Sequence, residues 1–97
     1  MEAERAAEWR QKKRDAEEAL RQIGAREDDL APFLRICNRG GTLYNERENG
    51  LRAEVSCTQL RDEIADLHAQ SAELRAYLDD QLDADCRRAG CLPGWLR

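Results

Sequence analysis

The chain is short of what a conventional globular core is made from. Of its 97 residues only five are aromatic, and Phe33 is the single phenylalanine. A compact mixed domain of this size closes its core with several large side chains, so the shortage points to long helices that bury a narrow stripe. No apolar run approaches the ~18 residues that a bilayer crossing requires. Six glycines and two prolines are too few for collagen-like or Gly/Pro-rich disordered chains. One histidine, His68, leaves little material for a histidine-based metal or catalytic centre. Basic charge is also scarce relative to acid. The net charge is −4 with the two signs interleaved, so there is no basic face to follow a phosphate backbone, and nucleic acid is not an expected partner.

What remains is charge, at 37% of residues, and four cysteines. The charged residues sit around two heptad seams. The first runs Ala6, Trp9, Lys13, Ala16, Leu20, Ile23, Glu27, Leu30, Leu34, Cys37, with steps alternating between three and four and with Lys13 and Glu27 as its polar exceptions. The second runs Ala53, Cys57, Leu60, Ile64, Leu67, Ser71, Leu74, Leu78 and then slips by one residue to Leu82. Between them lies Asn38-Arg39-Gly40-Gly41, the strongest stop signal in the chain, followed by a polar stretch to Gly50. The expectation is an all-α, antiparallel helical hairpin or coiled coil in one domain. Arm 1 spans about 2–38, the connection about 39–49, arm 2 about 50–89, and a short apolar tail 90–97. Thr42 and Asn49 are both plausible N-caps for arm 2. Pro32 removes a backbone donor and crowds the preceding turn, which predicts a kink or break near residues 26–30. Gly90 reads as the residue just past the second arm's end, with Pro93 beyond it. Rival architectures are a single long helix in a parallel dimer, which Gly40-Gly41 and Pro32 oppose, and a three-helix bundle broken at Pro32.

The four cysteines allow three pairings, and spacing favours one. If the hairpin turns about residue 47, Cys37 and Cys57 face each other where the seams meet the connection. If arm 2 began at Thr42, Cys57 would move ~20 Å along the axis and that bond would fail. Cys86 and Cys91 bracket the predicted helix end, so joining them would fold the tail back. The preferred reading is therefore Cys37–Cys57 with Cys86–Cys91. Cys37 and Cys57 as unpaired small hydrophobes in the stripe is the plainer alternative. A zinc site wants four closely spaced ligands, and only the C-x₄-C pair at Cys86 and Cys91 is close, so no metal and no cofactor are expected.

No catalytic constellation emerges. His68 flanks seam residue Leu67 and reads as a surface residue. Ser56, Thr58 and Ser71 are isolated hydroxyls with no base in sight, and the carboxylates have nothing to enclose them. Gly40-Gly41 lacks the context of a phosphate loop. Polar seam residues Lys13, Glu27, Ser71 and Gln81 either fix register or face water. Trp9, Tyr44, Leu92, Trp95 and Leu96 are candidate partner-binding residues, since aromatic anchors dominate contact surfaces; packing of Trp95 on Trp9 is the competing use.

The functional expectation is a non-enzymatic, extracytoplasmic coiled-coil interaction module of a bacterial envelope: a scaffold, tether or accessory subunit acting through protein–protein contact, with self-association (an oligomer) among the forms that contact takes. Paired structural cysteines suit the periplasm or the outside of the cell. Met1 leads directly into a charged helix without an apolar signal region, so any membrane attachment is expected through a segment outside this chain. The alternative is a cytosolic adaptor or regulatory helical module whose cysteines are reduced or bind metal.

Overall fold

The computed structural model describes residues 2–46 and 52–97, with backbone alone at 43–46 and 52–55. The fold is an antiparallel helical hairpin with one disulfide between its arms and a second between the end of its last helix and the tail. Helix α1 spans Glu2–Asn38, and strands β1 (Leu43–Glu46) and β2 (Arg52–Val55) follow. Helix α2 covers Cys57–Ala76, a π-helical turn covers Tyr77–Gln81, and helix α3 covers Leu82–Arg88.

The first seam forms as one helix because the 3–4 spacing keeps its apolar residues on one stripe. Ala6, Ala16, Ile23, Leu30 and Cys37 are buried, and Trp9, Lys13, Leu20, Glu27 and Leu34 are half-buried. The break expected near residues 26–30 does not occur, and α1 continues through Pro32. Proline deprives the Asp28 carbonyl of its helical partner, but Asp28 and Pro32 are both exposed, so water can serve the freed oxygen.

The connection is more structured than a polar loop. Strands β1 and β2 pair antiparallel, with Leu43 opposite Val55, Tyr44 opposite Glu54, Asn45 opposite Ala53 and Glu46 opposite Arg52. Pairing gives these residues backbone partners that an irregular link would leave to water. It also moves the start of the second arm from about residue 50 to Cys57. Of the two expected caps, Thr42 precedes a strand instead of a helix, and Asn49 lies outside the described residues. Ser56 takes the role instead. Its Oγ accepts a hydrogen bond from the Gln59 N–H at 3.3 Å, and its carbonyl accepts the first helical bond from the Leu60 N–H at 3.1 Å. The run Ser56-Cys57-Thr58-Gln59 has the residue pattern of a capping box.

The one-residue slip after Leu78 has a structural counterpart. The π-helical turn at Tyr77–Gln81 accommodates one extra residue, and after it Leu82 and Cys86 are buried. Gln81, the residue that strict heptad spacing would place in the seam, is exposed.

Contacts gather into two compact units. In residues 24–69, Leu30, Cys37 and Leu60 form a buried cluster with Leu34, Cys57, Ile64 and Leu67 packed against it. In residues 1–23 with 70–97, the buried side chains are Ala6, Ala16, Ile23, Leu82, Cys86 and the hydroxyl-bearing Ser71.

Candidate functional site: two stapled helix ends and a clasped tail

Both disulfides sit where a helix begins or ends. Cys37 lies in the last turn of α1 and Cys57 opens α2, with Cα atoms 5.8 Å apart across 20 residues of sequence. The bond is embedded in the apolar cluster of the 24–69 unit. Around the same unit, polar side chains tie the two helices together. Arg26 pairs with Glu63 at 2.9 Å, and Arg61 donates to the Asn38 Oδ1 at 3.4 Å. Glu27, one of the two polar exceptions in the first seam, meets His68 Nε2 at 3.2 Å. The His68 side chain is exposed as expected, and it serves as the cross-helix partner of a half-buried carboxylate.

The second disulfide completes a helix cap. The Cys91 N–H donates to the Cys86 carbonyl at 2.9 Å and the Gly90 N–H to the Arg87 carbonyl at 3.1 Å. Gly90 holds a φ of 89°, the left-handed conformation that glycine adopts without penalty. These are the bonds of a Schellman motif, in which an apolar contact usually joins the residues at the positions of Cys86 and Cys91. Here that contact is a covalent bond, with Cα atoms 5.2 Å apart. The end of α1 uses the same motif without a staple: Gly40 has a φ of 79°, and the Gly41 N–H donates to the Ile36 carbonyl at 2.9 Å.

Past Gly90 the tail turns back along the unit formed by 1–23 and 70–97. Arg5 donates to the Ala89 carbonyl, and its guanidinium lies 5.8 Å from the centre of the Trp95 ring. Lys13, the other polar exception in the first seam, donates from Nζ to the Leu96 carbonyl at 2.6 Å. A hollow of about 320 Å³ lies against this turn, lined by the Cys86–Cys91 pair, Leu92, Trp95 and Leu96 and by Arg87, which pairs with Asp83 at 2.6 Å. Tyr77 lies in the same unit, and burial together with the nearby Asp85 carboxylate raises its phenol above the usual tyrosine range.

The five expected contact residues fall into different settings. Leu92, Trp95 and Leu96 come together in the tail, with Leu92 exposed and the other two half-buried. Trp9 is half-buried and carries Lys12 over its ring at 4.2 Å. Each tryptophan thus has a cation against its face. Tyr44 occupies a position in β1, and its side chain lies outside the described residues. Sequence reasoning missed Phe33 and Ile36, exposed apolar residues on α1 one turn apart. It also missed Arg5 as a tail clamp, for which the sequence carries no signal because the partner is a carbonyl 84 residues away. Among the described residues, no cluster of three or more acidic, cysteine or histidine side chains is placed to hold a metal ion, and no helix is long and apolar enough to cross a membrane. No protein-family model, curated protein or solved structure matches the chain.

Proposed function

We propose that this chain is a non-enzymatic, extracytoplasmic interaction module that works by presenting a covalently fastened helical hairpin to a protein partner. The observation that carries the reading is the pair of disulfides. All four cysteines are paired, one bond fixes the start of α2 against the end of α1, and the other fixes the tail. Structural disulfides of this kind persist in oxidising compartments such as the periplasm or the outside of the cell. A two-helix hairpin has little interior to stabilise it, and covalent ties suit a chain that must keep its shape while using its surface. The contact regions are the tail residues Leu92, Trp95 and Leu96, with Trp9, and the connection around Tyr44. Partners of this kind include a helix of an envelope complex or a second copy of the chain.

Trapping thiols by alkylation at the moment of cell lysis tests the compartment. The reading predicts no alkylated cysteine in the protein recovered from its native cell. Four alkylated cysteines would refute it and return the chain to the class of cytosolic adaptor modules. Substituting Leu92 and Trp95 with alanine then tests contact. Loss of co-purification with the partner, while the helical circular dichroism is retained, is the expected result.

A further inference from the structure

The two disulfides are held by different surroundings, and this assigns them different chemistry. Around Cys37–Cys57, Cys37 is buried in a cluster with Leu30 and Leu60, and Cys57, Leu34, Ile64 and Leu67 pack against that cluster. Around Cys86–Cys91, the two sides differ in burial, and neither belongs to the apolar cluster that surrounds Cys37–Cys57. Cys86 is among the most completely buried residues and belongs to α3. Cys91 is half-exposed, lines the open hollow, and stands at the start of a seven-residue tail. The disulfide and the cap bond tie the tail to α3, and ties from α1 to the tail include the Lys13–Leu96 hydrogen bond and the cation–π contact of Arg5 with Trp95. Contacts of this kind contribute little individually at a solvated surface.

We propose that Cys86–Cys91 is a thiol-exchange site whose co-reactant is a dithiol, and that its opening releases the tail. A thiolate of the dithiol attacks the Sγ of Cys91, the sulfur on the accessible side, and forms a mixed disulfide with it. The Cys86–Cys91 bond breaks, and Cys86 leaves as a thiolate that takes a proton from water. The second thiol of the reagent, deprotonated, then attacks its own sulfur in the mixed disulfide and expels Cys91, which is protonated in turn. The sum is one dithiol oxidised to a disulfide and one protein disulfide reduced to two thiols. How readily a disulfide is reduced depends on how firmly its two open thiols are kept together. The apolar cluster holds Cys37 near Cys57, whereas Cys91 relies on a glycine turn and a few surface contacts, so Cys86–Cys91 is the pair that opens first. Opening frees Leu92, Trp95 and Leu96 together and uncovers the Arg5 and Lys13 clamps. This inference concerns control of the tail and stands whichever partner the module contacts.

The experiment is a titration of the folded, oxidised full chain with dithiothreitol, quenched with an alkylating agent and mapped by peptide mass. Cys86 and Cys91 are expected to be half-alkylated at a dithiol concentration about tenfold below that needed for Cys37 and Cys57. At that point the tail is read in the unmutated protein by amide hydrogen exchange, and protection of the Cys91 and Trp95 N–H groups is expected to fall by about tenfold or more. The fluorescence of Trp95 in a Trp9→Phe variant gives a second readout, with emission moving to longer wavelength as the ring leaves Arg5. Opening of Cys37–Cys57 first, or of both bonds together, would overturn the proposal. So would selective opening of Cys86–Cys91 that leaves exchange in the tail unchanged.

Discussion

Replacing both Cys37 and Cys57 with alanine removes the tie between the end of α1 and the start of α2, and its effect on stability can be worked from the structure. The bond joins residues separated by 20 in sequence, and its loss frees the unfolded chain of a loop constraint worth about 3 kcal/mol in the chain-entropy description. Cys86–Cys91 closes a separation of only 5, for which the same relation gives about 2 kcal/mol. Even that smaller figure is not fully expressed in global unfolding, because the tail can loosen locally before the helices separate. For a domain near 100 residues each kcal/mol shifts the melting temperature by roughly 4–8 °C. The C37A/C57A variant is therefore expected to melt roughly 12–24 °C below the parent, and C86A/C91A appreciably less far below it. Thermal unfolding followed by circular dichroism at 222 nm, without reductant, reads both values. A shift under about 4 °C for C37A/C57A, or a larger one for C86A/C91A, would refute the assignment of Cys37–Cys57 as the main stabilising tie.

Three further outcomes follow from individual elements. Ser56→Ala removes the only side-chain acceptor described at the start of α2 and should lower stability by about 1 kcal/mol, measured as the urea midpoint; Ser56→Asp should restore most of it. Deleting Asp79 from the π-helical turn brings Leu78 and Leu82 into regular heptad spacing, so the protein should stay folded with its melting temperature within a few degrees of the parent. Deleting Asp66 from the regular part of α2 rotates every later seam residue off the stripe, and that variant should lose its cooperative transition. In a Tyr44→Phe variant, absorbance at 295 nm should show Tyr77 ionising above the ordinary tyrosine range, since burial and the Asp85 charge both oppose the phenolate. The folded state then holds its proton more tightly than the unfolded chain. The stability that Tyr77 contributes is present below the unfolded pKa and is lost as pH rises through the folded one.

The parts of this fold that were legible in the sequence are those carried by repetition. Every described position of the two seams is buried or half-buried, because 3–4 spacing is the direct imprint of a helix resting one stripe on its neighbour. The slip at Leu82 was legible as an irregularity, and the π-helical turn is its physical form. The cysteine pairing was readable from where each cysteine falls relative to a helix end. What escaped was set by single local competitions. Ser56 caps α2 whereas Thr42 leads into β1, and β1 and β2 are four residues each, too short to impose a periodic signal. Pro32 lies inside α1 without ending it, at a position open to water, and that exposure is a fact of the folded state that no local rule contains. At the tail, Lys13 looked like a defect in a seam, and its partner is a backbone carbonyl 83 residues away. Side chains reaching for backbone oxygens leave no pattern in a sequence, so the clamps on the candidate site became visible only in the folded chain.

The central claim is that this protein is an oxidised hairpin with one bond between its helices and one at its tail. Peptide mapping of the unreduced protein, isolated with thiols blocked throughout, tests it most directly. The account predicts two linked species, one joining the Cys37 and Cys57 peptides and one containing both Cys86 and Cys91, with no blocked thiol. A link between Cys37 or Cys57 and either tail cysteine, or free thiols at all four positions, would contradict it.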